Sequence, residues 1–331
     1  MKNQYPIMSL EIGRIPKFEF TQRIAQLQRD IEDHLRDCKM IRDKYLKSKL
    51  RKVSKLKSVN SSLAIEANSL TLDTMQDIID GKMVEGPFDE VLEAKNAFVA
   101  YELMDTVNLS SVDDFLKVEE TMMYGLVPVN GFRDCSVGVL NGEIWEYVAP
   151  PAEEVPGMVE RLFGWYSSTG YPACISGAIV HFYIESIHPF RDGNGRMGRI
   201  WHNGILCRSS RCFELISVEN LIHEHQEEYY SVLKECQEDM DCTPFVEFCM
   251  ILTERRLAGI ARLSDGRMLA LAKAMGSEYR SAARIMKRMG LSSRTNFLRN
   301  YMRPAIECGL AEMSNPEKPL DPTQKYRSNI F

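Results

Sequence analysis

The spacing of apolar residues along the chain predicts a protein built mostly from α-helices. From Thr21 to about Leu50, apolar side chains recur every three or four positions, as they do on one face of an amphipathic helix. The same period predicts further helices over residues 72–79, 89–104, 112–124, 156–167, 175–187, 197–207 and 245–263. An all-α core is therefore expected.

One stretch between these helices has a different character. Two runs of β-favouring residues flank Asn141-Gly142, a pair that is typical of a tight hairpin turn. We assign Arg133, Val137 and Val139 to the first strand of this hairpin. The alternative is a hairpin that only covers the core.

The last part of the chain reads as a separate unit that begins after a break at residues 264–266. Three helices, over residues 268–275, 279–289 and 294–308, and a short strand after Gly309 follow the order of a winged helix. Arg294, Arg299 and Arg303 lie on the third helix, which is the helix that meets DNA in such domains. Docking of a protein target or of a second subunit stays equally open.

Composition narrows the class of protein. The chain has 331 residues, of which 44% are hydrophobic, and a net charge of −5, so no overall attraction to nucleic acid or membranes is expected. No apolar run is long enough to span a membrane, and the N-terminus lacks the apolar core of a secretory signal. The nine cysteines form no CxxC pair, so we expect reduced thiols in a cytoplasmic protein without a membrane partner.

A cluster of lysines and arginines lies between residues 47 and 57. Contact with nucleic acid is one interpretation. A solvated turn between two helices is favoured, because the cluster has no aromatic residues on which bases could stack.

The chemistry concentrates in the twelve residues from His188 to Arg199, HPFRDGNGRMGR. They lie between two predicted helices, and Pro189 ends the first, so they form a loop that enters a helix N-terminus. Free N–H groups at such an end attract phosphate oxygens, and glycines let the phosphate approach the backbone. Arg196 and Arg199 add cations, Asp192 offers an oxygen ligand for Mg²⁺, and His188 can accept a proton.

This stretch resembles the signature of the Fic family, His-x-Phe-x-(Asp/Glu)-Gly-Asn-Gly-Arg-x-x-Arg, at all eight fixed positions. The resemblance implies that His188 activates a target hydroxyl and that Phe190 anchors the loop. It implies a magnesium ion on Asp192 and a terminal phosphate or an inhibitory carboxylate on Arg199. The implied anion hole consists of Gly193, Asn194, Gly195 and Arg196.

A second stretch, residues 60–68, resembles the inhibitory motif of the same family, (Ser/Thr)-x-x-x-Glu-(Gly/Asn). Ser62 and Glu66 share a helix face, and the resemblance implies that Glu66 pairs with Arg199 and blocks the site of the γ-phosphate. Ala67 stands where the motif has Gly or Asn, so the motif does not determine the residue at which this helix ends. Asn60 or Ser61 is expected to cap the start of this helix.

Three further features complete the comparison with the family. The hairpin corresponds to a flap that aligns a target peptide as an added strand, which gives Val137 and Val139 a target-positioning role. Tyr229 and Tyr230 begin a segment that resembles the helix lining the nucleotide pocket. Either tyrosine packs on adenine, or both pack in the core. His181 is expected to be a hydrogen-bonded core residue.

The resemblance implies a Fic-fold helical core, a small β-hairpin flap and a C-terminal winged helix. We expect an N-terminal helical region over residues 1–85, a catalytic core over 86–263 and the winged helix over 264–331. The implied activity is protein adenylylation, in which ATP is the co-substrate, Mg²⁺ the cofactor and Glu66 the inhibitor. An unidentified protein accepts AMP on a Ser, Thr or Tyr hydroxyl. Self-modification and homodimerisation are open.

Two other functions remain as alternatives. In the first, the chain is a Fic enzyme that uses another nucleotide or removes AMP, as some relatives do. In a different class, the chain is a DNA-binding regulator whose Fic core senses nucleotide, and salt-dependent DNA binding without a covalent product would favour it.

Overall fold

The computed structural model describes residues 17–41, 44–127, 131–141, 144–307, 310–319 and 321–328, and these are mainly helical. The helices before the hairpin are α1 Gln22–Met40, α2 Lys44–Ile65, α3 Leu72–Ile79, α4 Phe88–Leu103 and α5 Val112–Met122. The hairpin strands are β1 Gly138–Asn141 and β2 Ile144–Val148. After them come α6 Val155–Ser168, α7 Ala173–Ile187, α8 Asn194–Ser209, α9 Val218–Glu224, α10 Gln226–Asp239 and α11 Thr243–Ala261. The prediction of a mainly helical protein is confirmed.

The C-terminal elements combine helices with a small sheet. They are α12 Gly266–Met275, β3 Arg280–Ser281, α13 Ala282–Met289, α14 Arg294–Phe297, α15 Arg303–Glu307, β4 Ala311–Met313 and β5 Lys325–Ser328. The strands form an antiparallel sheet in the order β3-β5-β4. A π-helical turn, Leu298–Met302, joins α14 to α15. This turn suits Pro304, which has no N–H to donate within the helix.

The helices divide into two compact units. One comprises Leu56–Ser209 and Glu219–Met250 with the described residues up to Thr21, and it holds the loop that begins at His188. The other comprises Gln22–Lys55, Ser210–Val218 and the described residues from Ile251 onward.

The first unit has an aromatic core beneath the His188 loop. Phe115 contacts Phe163, Phe190 and Trp201, with ring centroids 5.0–5.1 Å apart. All four side chains are almost completely buried. Phe190 belongs to the loop, so the core fixes the loop between α7 and α8.

In the second unit, α1 buries one face, formed by Ile24, Leu27, Ile31 and Cys38. His34 on this helix hydrogen-bonds Glu254 at 3.0 Å. Ser293 caps the start of α14, where its side chain accepts from the Asn296 N–H.

Three expectations near the start of the chain were wrong. The predicted helix to about Leu50 is two helices, and the basic cluster lies on α2 rather than in a turn. Leu46, Leu50 and Leu56 are buried and continue the helical period through the cluster, which leaves its charges on the outer side. Asn60 and Ser61 lie inside α2 and cap no helix.

None of the helices in the described part of the chain is long and apolar enough to cross a membrane.

Candidate active site

His188 ends α7 in a left-handed conformation, with φ of 51° and ψ of 59°. Its N–H still donates to the Ile184 carbonyl at 2.9 Å, but Pro189 disfavours helix for the residue before it, so the chain turns here. The His188 ring forms a hydrogen bond with the backbone of Glu185. This bond fixes the orientation of the imidazole.

The electrostatics around His188 favour a neutral ring. Burial lowers the pKa of His188, and the charge of Glu185 offsets this only in part, so the pKa lies below the ordinary 6.5. At neutral pH the imidazole can therefore accept a proton.

The loop after His188 is held by the side chain of Asn194. The Asn194 amide accepts from the Phe190 N–H at 2.8 Å and donates to the Phe190 carbonyl at 2.9 Å. Gly193 has a φ of +85°, which favours glycine, and a Cβ there would lie 2.7 Å from the sulfur of Met123. The side chain of Asn194 thus holds the loop in shape. The backbone N–H groups at the start of α8 can then bind an anion.

Arg196 is held by two carboxylates. Its guanidinium donates to Asp192 at 2.9 Å and forms an ion pair with Glu93 of α4. The other Glu93 oxygen accepts from the Asn68 side chain at 2.7 Å. Nothing in the local sequence pattern indicates Glu93, because its contact depends on how α4 packs.

Asp192 presents an exposed carboxylate beside the helix start. Its side chain is 60% exposed, and Oδ1 accepts from the Gly193 N–H at 2.6 Å. A solvent-accessible carboxylate next to an anion cradle fits a magnesium ion, which binds one or two carboxylates together with substrate phosphates.

Arg199 is buried, with only 1% of its side chain exposed, and α2 provides its partners. Nε donates to the Ser62 hydroxyl at 3.0 Å, and one terminal nitrogen donates to the Ser62 carbonyl at 3.0 Å. The same nitrogen donates to the carboxylate of Glu66 at 2.6 Å. Ser62, Glu66 and Arg199, selected from two separate motifs, thus lie together.

The Glu66 carboxylate covers the start of α8. A Cβ on Gly195 would lie only 2.5 Å from Glu66 Oε1 and 2.9 Å from a nitrogen of Arg199. An anionic group therefore already occupies the position where the loop, the helix N-terminus and the guanidinium converge.

Ala67 explains how a chain that departs from the inhibitory motif still ends its helix there. Ala67 has a φ of +66°, and the Asn68 N–H donates back to the Leu63 carbonyl at 3.1 Å. This is the left-handed helix end that glycine or asparagine usually provides.

The two tyrosines have different environments. Tyr229 is fully buried, and its hydroxyl lies 3.2 Å from His181 Nε2 and donates to Glu185 at 2.9 Å. Tyr230 is 44% exposed, and burial together with the charge of nearby Glu66 raises the pKa of its hydroxyl, so it lies beside the site. Of the two, only Tyr230 has a face available to a base.

Glu185 was not predicted from the sequence. Burial alone would raise its pKa, but the neighbouring His181, 3.7 Å away, and the charge of Arg199 lower it to about 2. The carboxylate is therefore ionised and lies near the cradle, with Oε1 3.3 Å from the Cβ position of Gly195. The sequence feature that could have indicated this residue is a glutamate in a mostly apolar helix, three residues before His188.

The hairpin pairs Gly138–Asn141 with Ile144–Val148, with a register shift between Val139 and Leu140. Val139 lies in β1 and pairs with Tyr147. Val137 precedes the strand, and its carbonyl accepts from the Ala149 N–H at 3.1 Å. The predicted turn at Gly142 lies outside the described residues.

Arg133 lies before the strand rather than in it. It is buried, and its side chain donates to the carbonyls of His188 at 2.7 Å and Cys135 at 2.9 Å. Its N–H donates to the Pro189 carbonyl at 2.9 Å. The segment that leads into the hairpin is thus tied directly to the His188 loop.

Comparison with protein families gives two matches. A family model described as the Fic/DOC family matches residues 109–206, which include the His188 loop. A second, described as the C-terminal domain of Filamentation induced by cAMP protein Fic-like, matches residues 267–328.

Curated relatives carry the name protein adenylyltransferase Fic. The one from Culex quinquefasciatus is 26% identical over 215 residues, which cover 61% of this chain and 41% of the relative. The one from Drosophila willistoni is 28% identical over 228 residues, which cover 63% of this chain and 43% of the relative. The chain thus matches less than half the length of these curated relatives.

Solved structures match more of the chain. A Fic domain containing signaling protein from Bacteroides thetaiotaomicron VPI-5482 has a TM-score of 0.57 at 19% identity over 74% of this chain and 97% of that one, which shows a shared fold. A Fic family protein from Desulfovibrio desulfuricans G20 has a TM-score of 0.72 and is 35% identical, covering 95% of this chain and 98% of that one. With this identity over nearly the whole of both chains, the protein belongs to the Fic family.

Proposed function

We propose that the protein is an adenylyltransferase that transfers AMP from ATP to a Ser, Thr or Tyr hydroxyl of a protein target. The observation that carries this proposal is the position of the Glu66 carboxylate, which lies over Gly195 and 2.6 Å from Arg199. An anionic group is thus already bound where the phosphates of ATP would lie. A neutral imidazole, His188, lies at the other end of the same loop. The names of the curated relatives support the same activity.

In this proposal, His188 is the general base. It accepts the proton of the target hydroxyl while the hydroxyl oxygen forms a bond to the α-phosphorus of ATP. The bond from the α-phosphorus to the bridging oxygen of the β-phosphate breaks, and pyrophosphate leaves. The hydrogen bond to the Glu185 backbone keeps the ring in one orientation for this transfer.

The phosphates would be bound by the N-terminus of α8 and by arginines. Backbone N–H groups of Gly193, Asn194 and Gly195 and the guanidinium of Arg196 would bind the inner phosphates, and Arg199 would bind the outer one. Asp192 would hold Mg²⁺, which neutralises phosphate charge when it is bound.

The hairpin would position the target. In the described part of the chain, β1 pairs only with β2, so its other edge can receive an extended peptide as an added strand. Val137 and Val139 lie at the start of this edge. Backbone pairing of this kind would place a hydroxyl side chain without selecting a particular target sequence.

We further propose that Glu66 is an autoinhibitory residue. Arg199 cannot bind Glu66 and a γ-phosphate in the same geometry, because the carboxylate already takes one terminal nitrogen and itself lies over Gly195. ATP that binds without this arginine would hold its α-phosphate out of line with the incoming hydroxyl.

Intact-mass analysis of a full-length Glu66→Gly variant and of a cell lysate treated with it, after incubation with Mg²⁺ and each nucleotide, tests the activity. The proposal predicts a mass increase of one AMP, on the chain itself or on another protein, with ATP and not with other nucleotides. Modification by another nucleotide, or none by a Glu66→Gly variant, would contradict it.

A second function, DNA binding, is supported by charge. Residues 267–328 contain twelve lysines and arginines but only five acidic residues, although the whole chain is acidic. Arg294, Arg299 and Arg303 are exposed on successive turns of one helical run. We propose that this part of the chain is a winged-helix domain that contacts DNA phosphates.

Titration of the full chain with duplex DNA at several salt concentrations tests DNA binding. Affinity should fall steeply with salt, and an Arg294→Ala, Arg299→Ala variant should bind more weakly with a smaller slope. Affinity that does not change with salt or with these substitutions would leave protein docking as the function of this domain.

A further inference from the structure

Inhibition by Glu66 requires that α2 stay in register with α8, the helix that carries Arg199. The contact face of α2 includes Ser58, Ser62 and Glu66, which are spaced by four residues. Ser62 and Glu66 reach Arg199 directly. Ser58 lies one turn earlier, and its hydroxyl donates to Glu219 Oε2 at 2.7 Å.

Glu219 is a buried carboxylate that joins three helices. Only 1% of the residue is exposed, in the first turn of α9. Its Oε1 accepts from the Tyr101 hydroxyl of α4 at 3.1 Å and from the Asn203 amide of α8 at 2.7 Å, while Oε2 accepts from Ser58 of α2. All three donors are uncharged side chains.

A carboxylate in this position is costly to bury unless its oxygens are hydrogen-bonded. Burial raises the pKa of Glu219, and the bonds from Ser58, Tyr101 and Asn203 offset part of that rise. The three bonds therefore depend on one another, since loss of one donor leaves a buried oxygen unsatisfied. A carboxylate held in this way resists sliding or rotation of any helix bound to it.

The position of Asn203 relates these bonds to the Glu66–Arg199 pair. Asn203 is four residues after Arg199 on α8, as Ser58 is four residues before Ser62 on α2. Glu219 thus bridges the same two helices as the Glu66–Arg199 pair, about one turn away.

We propose that Glu219 is a positioning residue for autoinhibition, which holds α2 through Ser58 in the register where Glu66 reaches Arg199. This inference rests on the proposed adenylyltransferase function. Weakening the bridge shifts the population toward chains in which Glu66 has left Arg199, and AMP transfer rises although no residue of the anion site has changed.

The test measures incorporation of labelled AMP by the full-length chain. Ser58→Ala removes one donor without touching the anion site, and Glu219→Gln removes the charge. Because a buried hydrogen bond contributes ~0.5–1.5 kcal/mol, each variant should incorporate AMP about two- to thirteenfold faster than wild type. Ser54→Ala, a buried serine one turn earlier on α2, is the matched control and should leave the rate unchanged.

Epistasis with Glu66 separates positioning from a general structural role. In a Glu66→Gly background, Ser58→Ala should change the rate by less than about twofold, because the inhibition that it weakens is already absent. A variant that only destabilises the fold would lose activity in both backgrounds. If Glu219→Gln does not fold, Ser58→Ala decides the question.

The outcomes also separate this inference from the proposed function. Wild-type rates for Ser58→Ala, together with a raised rate for Glu66→Gly, would overturn the role of Glu219 alone. An increase that persists undiminished in the Glu66→Gly background would overturn it as well. No labelling by Glu66→Gly would instead contradict the proposed function.

Discussion

The carboxylate of Glu66 lies 2.6 Å from the guanidinium of Arg199, although 133 positions of sequence separate them. The arginine is buried and the glutamate is one-third exposed, so the pair closes the anion site from its solvent side. Replacing Glu66 with a phosphate would keep Arg199 paired with an anion. In the proposed mechanism, the same buried charge serves an inhibited and an active state.

His188→Ala should lower AMP transfer by about two to four orders of magnitude, which is the usual contribution of a positioned general base. ATP affinity should change little, because the predicted phosphate contacts come from other residues. Transfer is measured by AMP incorporation in a Glu66→Gly background, and ATP affinity by calorimetry. His223→Ala, which replaces an exposed histidine, is the control. Full activity of His188→Ala would remove this residue from the mechanism.

The acid limb of the pH–rate profile should have its midpoint below pH 6.5. Burial lowers the pKa of His188, and the base works only when neutral, so activity is lost as pH falls through that lowered pKa. The profile of kcat/KM is recorded with the Glu66→Gly variant at saturating Mg²⁺. A midpoint above 6.5 would show that another group controls the rate.

Tyr230→Ala should raise the KM for ATP about tenfold, because stacking of a base on an aromatic ring contributes ~1–3 kcal/mol. Tyr230 is the half-exposed tyrosine beside the site, whereas Tyr229 is fully buried. Tyr279→Ala, at an exposed tyrosine of the other unit, should leave KM unchanged. An unchanged KM for Tyr230→Ala would assign adenine to another surface.

Ala67→Gly should stabilise the protein by about 1 kcal/mol, because alanine is strained at the left-handed end of α2 and glycine is not. Ala67 is exposed, so little packing is lost. Thermal unfolding measures the effect. Ala64→Gly, within the same helix, should shift the midpoint downward. A lower midpoint for Ala67→Gly would show that its conformation differs in solution.

Much of the site could be predicted because its parts are local in sequence. The stretch from His188 to Arg199 combines a helix end, the loop glycines Gly193 and Gly195 and a helix start, each with a signal in neighbouring residues. The pairing of Glu66 with Arg199 followed only from the resemblance, since spacing alone does not bring α2 to α8. The positions of the helices could also be predicted, because the residues on their buried faces recur every three or four positions.

The missing parts depend on packing between distant segments. Glu93 reaches Arg196, Arg133 reaches the carbonyl of His188, and Glu219 reaches Ser58, across 55–161 positions. A lone charged residue is normally solvated, so no local pattern indicated these three contacts. The prediction of a turn at the basic cluster was wrong for a related reason, because the leucines between the lysines are buried and keep the helical period.

The most direct test of the account is the rate of labelled AMP incorporation by wild type, Glu66→Gly and the Glu66→Gly, His188→Ala double variant. Release of Arg199 should let ATP bind in line, and misplacement of reacting groups costs about a hundredfold in rate, so Glu66→Gly should exceed wild type by roughly that factor. The double variant should return to background. Equal labelling by wild type and Glu66→Gly would contradict autoinhibition by Glu66, and labelling that survives in the double variant would contradict catalysis by the His188 loop.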